Sequence, residues 1–432
     1  MYTYMSGVLY TIVSGLFIVL GTIFFFKRHK KDAKQIDEEL LNARIASFKP
    51  DPLIDCSTID TSNGMTEIPA PDESIPGCLN LAKMNFFNFL NNQDFRKEAE
   101  LCIRTYGVGS CGPRGFYGTI DIHLTLENRI AEFMNMEETV LYSYGFTTVS
   151  SAIGAYCKKQ DIIFCDEQIS FAAVQGFLAA RSTVEYFRHN DMNDLESKLK
   201  VYEKKEKQKR KLFRKFLIVE GIYASSGTIC PLPQLMALRE KYKLRIFIDE
   251  SLSWGVLGKG GKGVTEHFNV NRLDVDMIIG SLECAVGSIG GFCVGASVII
   301  EHQRLSGLGY CFSASLPPFL TKAALCALKV FEEQPTIFKQ LHETCISVDQ
   351  KLRNLEEYIV ISDPLSPMKV FTTAKIEKRY ENIKKIHTFC AESNIHFLLS
   401  EEYLKLNVNI VLAESELDRV MSVLKNAMSV CT

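Results

Sequence analysis

The sequence predicts an α/β fold: a mainly parallel central sheet covered by helices, followed by a smaller C-terminal α+β domain. Three observations predict it. Short apolar runs at 139–144, 162–165, 184–187, 216–220, 245–249, 277–280 and 292–300 alternate with helix-like segments such as 232–242, the order expected of parallel strands joined by helical crossovers. Beyond 331 the same mixture recurs in shorter pieces, with runs at 359–361, 370–373, 396–399 and 407–411. At 432 residues and 47% hydrophobic content, the chain is long enough for a large core and more than one domain.

Composition removes several functional classes. A net charge of −2 gives no electrostatic case for nucleic acid. The 14 cysteines include no Cys-x-x-Cys pair and no His/Cys cluster at zinc spacing. They read as reduced thiols facing a cytosolic environment, with no metal site.

Taken in order, the chain opens with an apolar segment that starts at Gly7 and ends at Phe26 without a charge. Twenty helical residues reach ~30 Å, enough to cross a bilayer. The basic run Lys27-Arg28-His29-Lys30-Lys31 follows at once, which predicts an N-terminal transmembrane helix with the body of the chain in the cytoplasm. A cleaved signal peptide needs its charge before the apolar run and small residues after it, and neither is present. Residues 32–78 read as a linker arm with several prolines. Residues 79–106 have helical spacing and predict one or two helices entering the core domain. The basic stretch 203–215 reads as a solvated helix end and loop, or as a membrane-surface contact. After Pro317-Pro318 a helical pattern runs to about Glu333. The expected boundaries are thus 1–31 for the anchor and its basic flank, 32–78 for the arm, 79–330 for the large domain and 331–432 for the small one. No internal repeat is present.

Two glycine-rich loops look like nucleotide sites. Gly107-Val108-Gly109-Ser110-Cys111-Gly112 matches the dinucleotide fingerprint, but it follows a helical pattern and runs into Pro113, whereas the fingerprint leaves a strand and opens a helix. The loop 255–263 lacks phosphate-loop spacing, because no glycine is followed by Lys and then Ser or Thr.

The stretch 274–295 carries more. It reads as a buried strand, a polar turn, and a glycine pair opening a second strand. With Gly280-Ser281-Leu282 and Gly290-Gly291-Phe292 as anchors, it resembles the segment bearing the Schiff-base lysine in the α-oxoamine synthase family. These are fold type I pyridoxal-phosphate enzymes that join an amino acid to an acyl-CoA. Cys284 stands at the lysine position, and no lysine lies in 277–295. A thiol makes no protonated imine with the cofactor aldehyde and is no substitute for the amine as base. Taken alone, Cys284 reads as a packed core residue.

Other segments resemble the family too. Asp166-Glu167-Gln168-Ile169-Ser170 aligns with Asp-x-x-x-His, so Ser170 replaces a ring that stacks on the pyridine. In Asp249-Glu250-Ser251-Leu252-Ser253-Trp254-Gly255, Asp249 matches the carboxylate that pairs with the pyridinium nitrogen, here vestigial, and Leu252 replaces a second histidine. On its own, Asp249 does not make a site, since an aspartate ending a strand is more often a cap or turn residue. Gly145-Phe146, where a strand runs into a helix, matches the phosphate-binding turn. The segment from Tyr106 through Gly109, Cys111, Arg114 and Phe116 resembles the substrate-entry loop at the dimer interface, or else is a glycine-rich loop that only packs. Within 309–315, Ser313 and Ser315 resemble residues that reach a neighbour's cofactor phosphate, or else close a strand end.

One carboxylate kept against one lysine and two histidines lost resembles the family's non-catalytic long-chain-base subunits. The resemblance implies an obligate heterodimer. A lysine-bearing paralogous subunit would bind the pyridoxal 5'-phosphate and condense L-serine with palmitoyl-CoA to 3-ketosphinganine, and this chain would stabilise it and complete its site. It also implies a single-pass protein of the endoplasmic reticulum membrane, with small regulatory membrane proteins as further partners. The rival readings are an active synthase using an unusual residue, and a membrane-tethered scaffold with no synthase role.

Overall fold

The computed structural model describes residues 76–430, together with Ser47. The predicted membrane segment, its basic flank and nearly all of the arm lie outside the described residues, and among those described no helix is long and apolar enough to cross a membrane. The described residues from 76 to 430 form one unit.

That unit starts with a correction. The stretch 79–106 is not helical throughout: Leu79–Asn80 is a strand, β1, which pairs in parallel with Ile395–His396 far along the chain. Local periodicity carries no trace of a partner at that separation. A short 3₁₀ turn, Phe89–Asn91, follows. Then comes helix α1 (Gln93–Tyr106), whose N-cap Asn92 accepts from the backbone N–H groups of Asp94 and Phe95 at 2.9 and 3.3 Å. Helix α2 (Asp121–Met134) leads into the central sheet.

The sheet is built from β2 (Glu138–Tyr142), β3 (Ile162–Asp166), β4 (Thr183–Phe187), β5 (Lys215–Glu220), β6 (Arg245–Asp249), β7 (Met277–Ser281) and β8 (Gly291–Gly295). Its strand order is β2-β8-β7-β6-β5-β3-β4. Every pair from β7 to β4 is parallel, and β8 is antiparallel to both of its neighbours, so the sheet is mixed with one reversed strand. The sequence reason is visible in β5. Phe216 and Ile218 enter one core, Leu217 and Val219 the other, and a strand covered on both faces needs a continuous apolar run rather than an alternating one.

Helices α3 (Gly145–Tyr156) and α4 (Phe171–Ala180) cover one face. Helices α5 (Met192–Lys209) and α6 (Leu232–Tyr242) pack on the other. The basic stretch 203–215 runs from the end of α5 through an exposed loop into β5, and is tied back by the buried pair Lys215–Glu206 at 2.9 Å. A short helix, α7 (Val264–His267), follows the 255–263 loop. The run 292–300 is a second correction: β8 stops at Gly295 and α8 (Ser297–Ser306) begins. Glu137 caps that helix by accepting from the Ser297 N–H at 2.7 Å, which ends the extended backbone before Val298-Ile299-Ile300.

After α9 (Leu308–Cys311) come α10 (Pro318–Glu333) and α11 (Thr336–Arg353). A four-stranded antiparallel sheet follows, from β9 (Tyr358–Val360), β10 (Met368–Thr373), β12 (Leu398–Ser400) and β13 (Tyr403–Asn407), in the order β12-β13-β10-β9. Helix α12 (Arg379–Glu392), β11 (Ile395–His396) and α13 (Glu414–Val430) complete it. The last strand lies earlier than the expected 407–411. Leu404 and Leu406 alternate into the core, while buried Lys405 hides the apolar pattern and satisfies its ammonium on the Ala224 carbonyl at 2.8 Å.

Candidate functional site

The carboxyl ends of the parallel strands point to one place, the usual position of a ligand in such sheets. There Asp166, Glu220, Asp249 and Ser281 close β3, β5, β6 and β7 in turn. The loops beyond, together with the start of α3, enclose a cavity of about 200 Å³ lined by Met84, Gly145, Phe146, Ser170, Glu220, Asp249, Leu252, Glu283 and Cys284 among others. Cys284, Ser170, Leu252 and Asp249, taken from three separate motifs, therefore meet in space.

Each has a defined state. Cys284 is 7% exposed, with its Sγ 3.4 Å from the Met84 sulfur. Burial, helped by the Glu283 and Asp249 carboxylates, pushes the thiol up to about 12, so it stays protonated and is no nucleophile. Ser170 is the N-cap of α4, its hydroxyl accepting from the Ala173 N–H at 3.4 Å. Leu252 is buried and brings only an apolar wall. Asp249 accepts from the backbone N–H of Ser251 at 2.9 Å and from its hydroxyl at 2.5 Å, so it caps the strand end while lining the cavity. Burial raises its carboxyl above the ordinary range, and the Ser251 hydrogen bonds oppose that.

Two acidic residues here were not singled out from the sequence. Glu220 accepts from the Ser170 and Ala224 N–H groups; burial first, then the Asp249 charge, raises its carboxyl well above the usual value. Glu283 stands exposed at the mouth of the cavity and accepts from the Gly145 N–H at 3.3 Å. Its signal in the sequence was its place directly before Cys284.

The glycine-rich loop forms a second grouping, and Tyr106, Gly109, Cys111, Arg114 and Phe116 fall there rather than in the cavity. Gly107 leaves the C-terminus of α1, not a strand, which removes the dinucleotide reading. Tyr106 donates its hydroxyl to Asp121 at 3.0 Å. Arg114 makes a bidentate pair with Glu127, 2.9 Å on each arm, and Glu127 also accepts from the Leu141 N–H, tying the loop to β2. Gly109 has open space where a side chain would stand. Cys111 is exposed at positive φ, and Phe116 and Tyr117 project into solvent, Tyr117 with 99% of its surface exposed. Ser315 is buried against this loop: its hydroxyl donates to the Gly112 or Gly118 carbonyl, at 2.7 and 2.5 Å, and lies 2.9 Å from the Ser110 hydroxyl. A β-carbon on Gly118 would meet the Gly112 oxygen at 1.9 Å, so only glycine fits that crossing. Ser313 donates to the Gly309 carbonyl.

A mixed α/β sheet of this order, with its loops converging at the carboxyl ends, defines the fold of type I pyridoxal-phosphate-dependent transferases. Residues 78–378 match the family Aminotransferase class I and II. Serine palmitoyltransferase 1 of Dictyostelium discoideum is 46% identical over 294 residues, covering 67% of this chain and 61% of its own length. Long chain base biosynthesis protein 1b of Oryza sativa subsp. japonica is 38% identical over 83% of this chain and 75% of its own. Among solved structures, a Sphingomonas wittichii serine palmitoyltransferase superposes with a TM-score of 0.76 at 21% identity, over 93% of this chain and 99% of that one. The 8-amino-7-oxononanoate synthase of Francisella tularensis gives 0.69 at 20% identity, over 83% and 99%. The chain belongs to the class I and II aminotransferase family, in the branch of serine palmitoyltransferase 1 and long chain base biosynthesis protein 1.

The residues of this chain do not fit the cofactor of that fold. Cys284 has no amine, Ser170 no ring to stack, and the start of α3 already faces the Glu283 carboxylate.

Proposed function

We propose that this chain is the non-catalytic subunit of a heterodimeric serine C-palmitoyltransferase. A lysine-bearing paralogous subunit binds pyridoxal 5'-phosphate and condenses L-serine with palmitoyl-CoA to 3-ketosphinganine, the first step of sphingolipid biosynthesis. The observation that carries the reading is the single cavity where Cys284, Ser170, Leu252 and Asp249 meet. Of the groups that resemble the family's pattern only the Asp249 carboxylate is kept there, and the position of the required amine holds a buried, protonated thiol. A complete fold around a disabled centre acts by supporting a companion.

The division of labour follows the two groupings. The loop from Tyr106 through Gly109, Cys111, Arg114 and Phe116 borders the partner's site, with the Arg114–Glu127 pair fixing its base. Ser315 holds that loop in shape, and the Ser313 hydroxyl, which donates to the Gly309 carbonyl in this chain, turns from it to reach the partner's cofactor phosphate. The segment 7–26 anchors the assembly in the endoplasmic reticulum membrane with the body in the cytoplasm.

Purification of the full chain in detergent, alone and co-expressed with a lysine-bearing paralogue, tests this. The expected result is a stoichiometric complex with synthase activity, and an isolated chain that gives no borohydride-fixable imine with pyridoxal phosphate. Turnover of serine and an acyl thioester by the isolated chain overturns it.

A further inference from the structure

The start of α3 has the features of an anion site. Strand β2 ends at Tyr142, and the helix opens at Gly145 after Tyr144, an N-cap in extended conformation with no side-chain cap. The first-turn N–H groups of a twelve-residue helix are left without intrahelical partners and carry partial positive charge. A phosphate is the ligand such a turn accepts in many folds.

In this chain the place is taken from within. Glu283 lies in the turn between β7 and β8, and its carboxylate accepts from the Gly145 N–H at 3.3 Å. Its own backbone N–H is held by the Ser281 hydroxyl at 3.1 Å, which fixes where the side chain starts. The approach is close: a β-carbon on Gly145 would come 3.2 Å from the Glu283 oxygen and 2.9 Å from the Ser281 hydroxyl. Glu283 thus supplies from a distant turn the oxygen that an Asp or Ser N-cap supplies locally. Two more carboxyl groups, Glu220 and Asp249, line the same cavity.

We propose that Glu283 is a resident anion at the start of α3 which excludes the phosphate of pyridoxal phosphate from this chain's cavity and so confines the cofactor to the partner's site. The inference rests on the family reading above and deepens it. Loss of the amine at Cys284 removes covalent attachment only, whereas a carboxylate at Gly145 removes the non-covalent hold as well. A phosphate brought there would face a like charge and would lose the N–H it needs.

The full chain in detergent is titrated with pyridoxal phosphate, with pyridoxal, which lacks the phosphate, and with inorganic phosphate. Three forms are compared: wild type, Glu283→Gln and Glu283→Ser. Replacing the charge with the isosteric amide, or opening the site with serine, is expected to raise affinity for pyridoxal phosphate about tenfold or more, equivalent to about 1.4 kcal/mol. Inorganic phosphate should compete, and pyridoxal affinity should stay within about twofold of wild type on the same scale. The inference is overturned if neither variant gains affinity for either phosphate probe. It is equally overturned if pyridoxal gains as much as pyridoxal phosphate, because the substitution has then only widened the cavity. Thermal melting checks the fold, and Glu283→Gln decides alone if Glu283→Ser does not melt cooperatively. Co-purification with the lysine-bearing subunit separates the two readings. Its failure alongside a phosphate gain sinks the subunit role, and its success without a gain sinks the resident anion.

Discussion

Cys284 and Cys111 are both free thiols, and their surroundings set opposite fates for them. Cys284 is buried, and that burial pushes it up to about 12, while Cys111 sits exposed on the glycine-rich loop. Brief iodoacetamide treatment at neutral pH, followed by peptide mass spectrometry, should modify Cys111 and leave Cys284 intact. Replacing the thiol is not enough to rebuild chemistry: Cys284→Lys alone should restore no synthesis in the isolated chain, because Ser170 and Leu252 still bring no imidazole to the cavity. Measurable turnover by that single variant contradicts the assignment. Glu250 offers a pH test. Burial raises its carboxyl from the ordinary 4.5 to about 7, against the opposing Ser253 and Val264 hydrogen bonds. A carboxyl with a raised folded value favours the protonated state, so its stabilisation is full below about 4.5 and is lost as pH rises through about 7. Glu250→Gln should therefore flatten the melting profile between pH 5 and 8, and an unchanged slope rules Glu250 out as its source. At this scale it was legible that Cys284, Ser170, Leu252 and Asp249 belong together, because each lies in a motif with fixed neighbours, and the four line one cavity. Glu220 and Glu283 were not legible: a glutamate ending a strand or sitting in a turn carries no mark of the distant backbone it will meet.

Helices and strands were read best where one physical requirement acts alone. The run Arg245–Asp249 coincides with β6 because both faces of that strand are covered and its apolar letters are continuous. The run 292–300 was read too long, since Val298, Ile299 and Ile300 are as apolar as the strand before them, and only the Glu137 cap marks the change. Contacts between elements follow from residue size. Helices α3 and α4 approach so closely that a β-carbon on Gly176 would lie 2.8 Å from the Ile153 β-carbon and 3.0 Å from the Ser150 carbonyl. Gly176→Val should cost about 1–3 kcal/mol by denaturant melting, through forced separation of the pair. The loop between α1 and α2 depends on Arg114. Arg114→Ala strands the Glu127 carboxylate in a buried site, with an expected loss of about 3–5 kcal/mol. Retained stability there means that Glu127 finds another donor.

Across the whole described molecule, an aromatic cluster joins parts that the sequence keeps far apart. Phe331 of α10 packs on Phe87, Phe133, Trp254 and Phe338, with ring centroids 5.3, 6.2, 6.1 and 5.0 Å away. Phe331→Ala should cost about 3–5 kcal/mol and lower the single melting transition as a whole, since the cluster spans the large sheet and the helices after it. The alternation of elements made the overall class legible. The reversal of β8 and the pairing of β1 were not, because a strand's direction and partner are decided by chain segments outside any local window. The β1–β11 pairing sets a timetable as well as a shape. During translation Leu79 and Asn80 leave the ribosome roughly three hundred residues ahead of Ile395 and His396, and until then the nascent strand has an open edge. A premature stop before β11 therefore leaves Leu79 and Asn80 without the strand that pairs them.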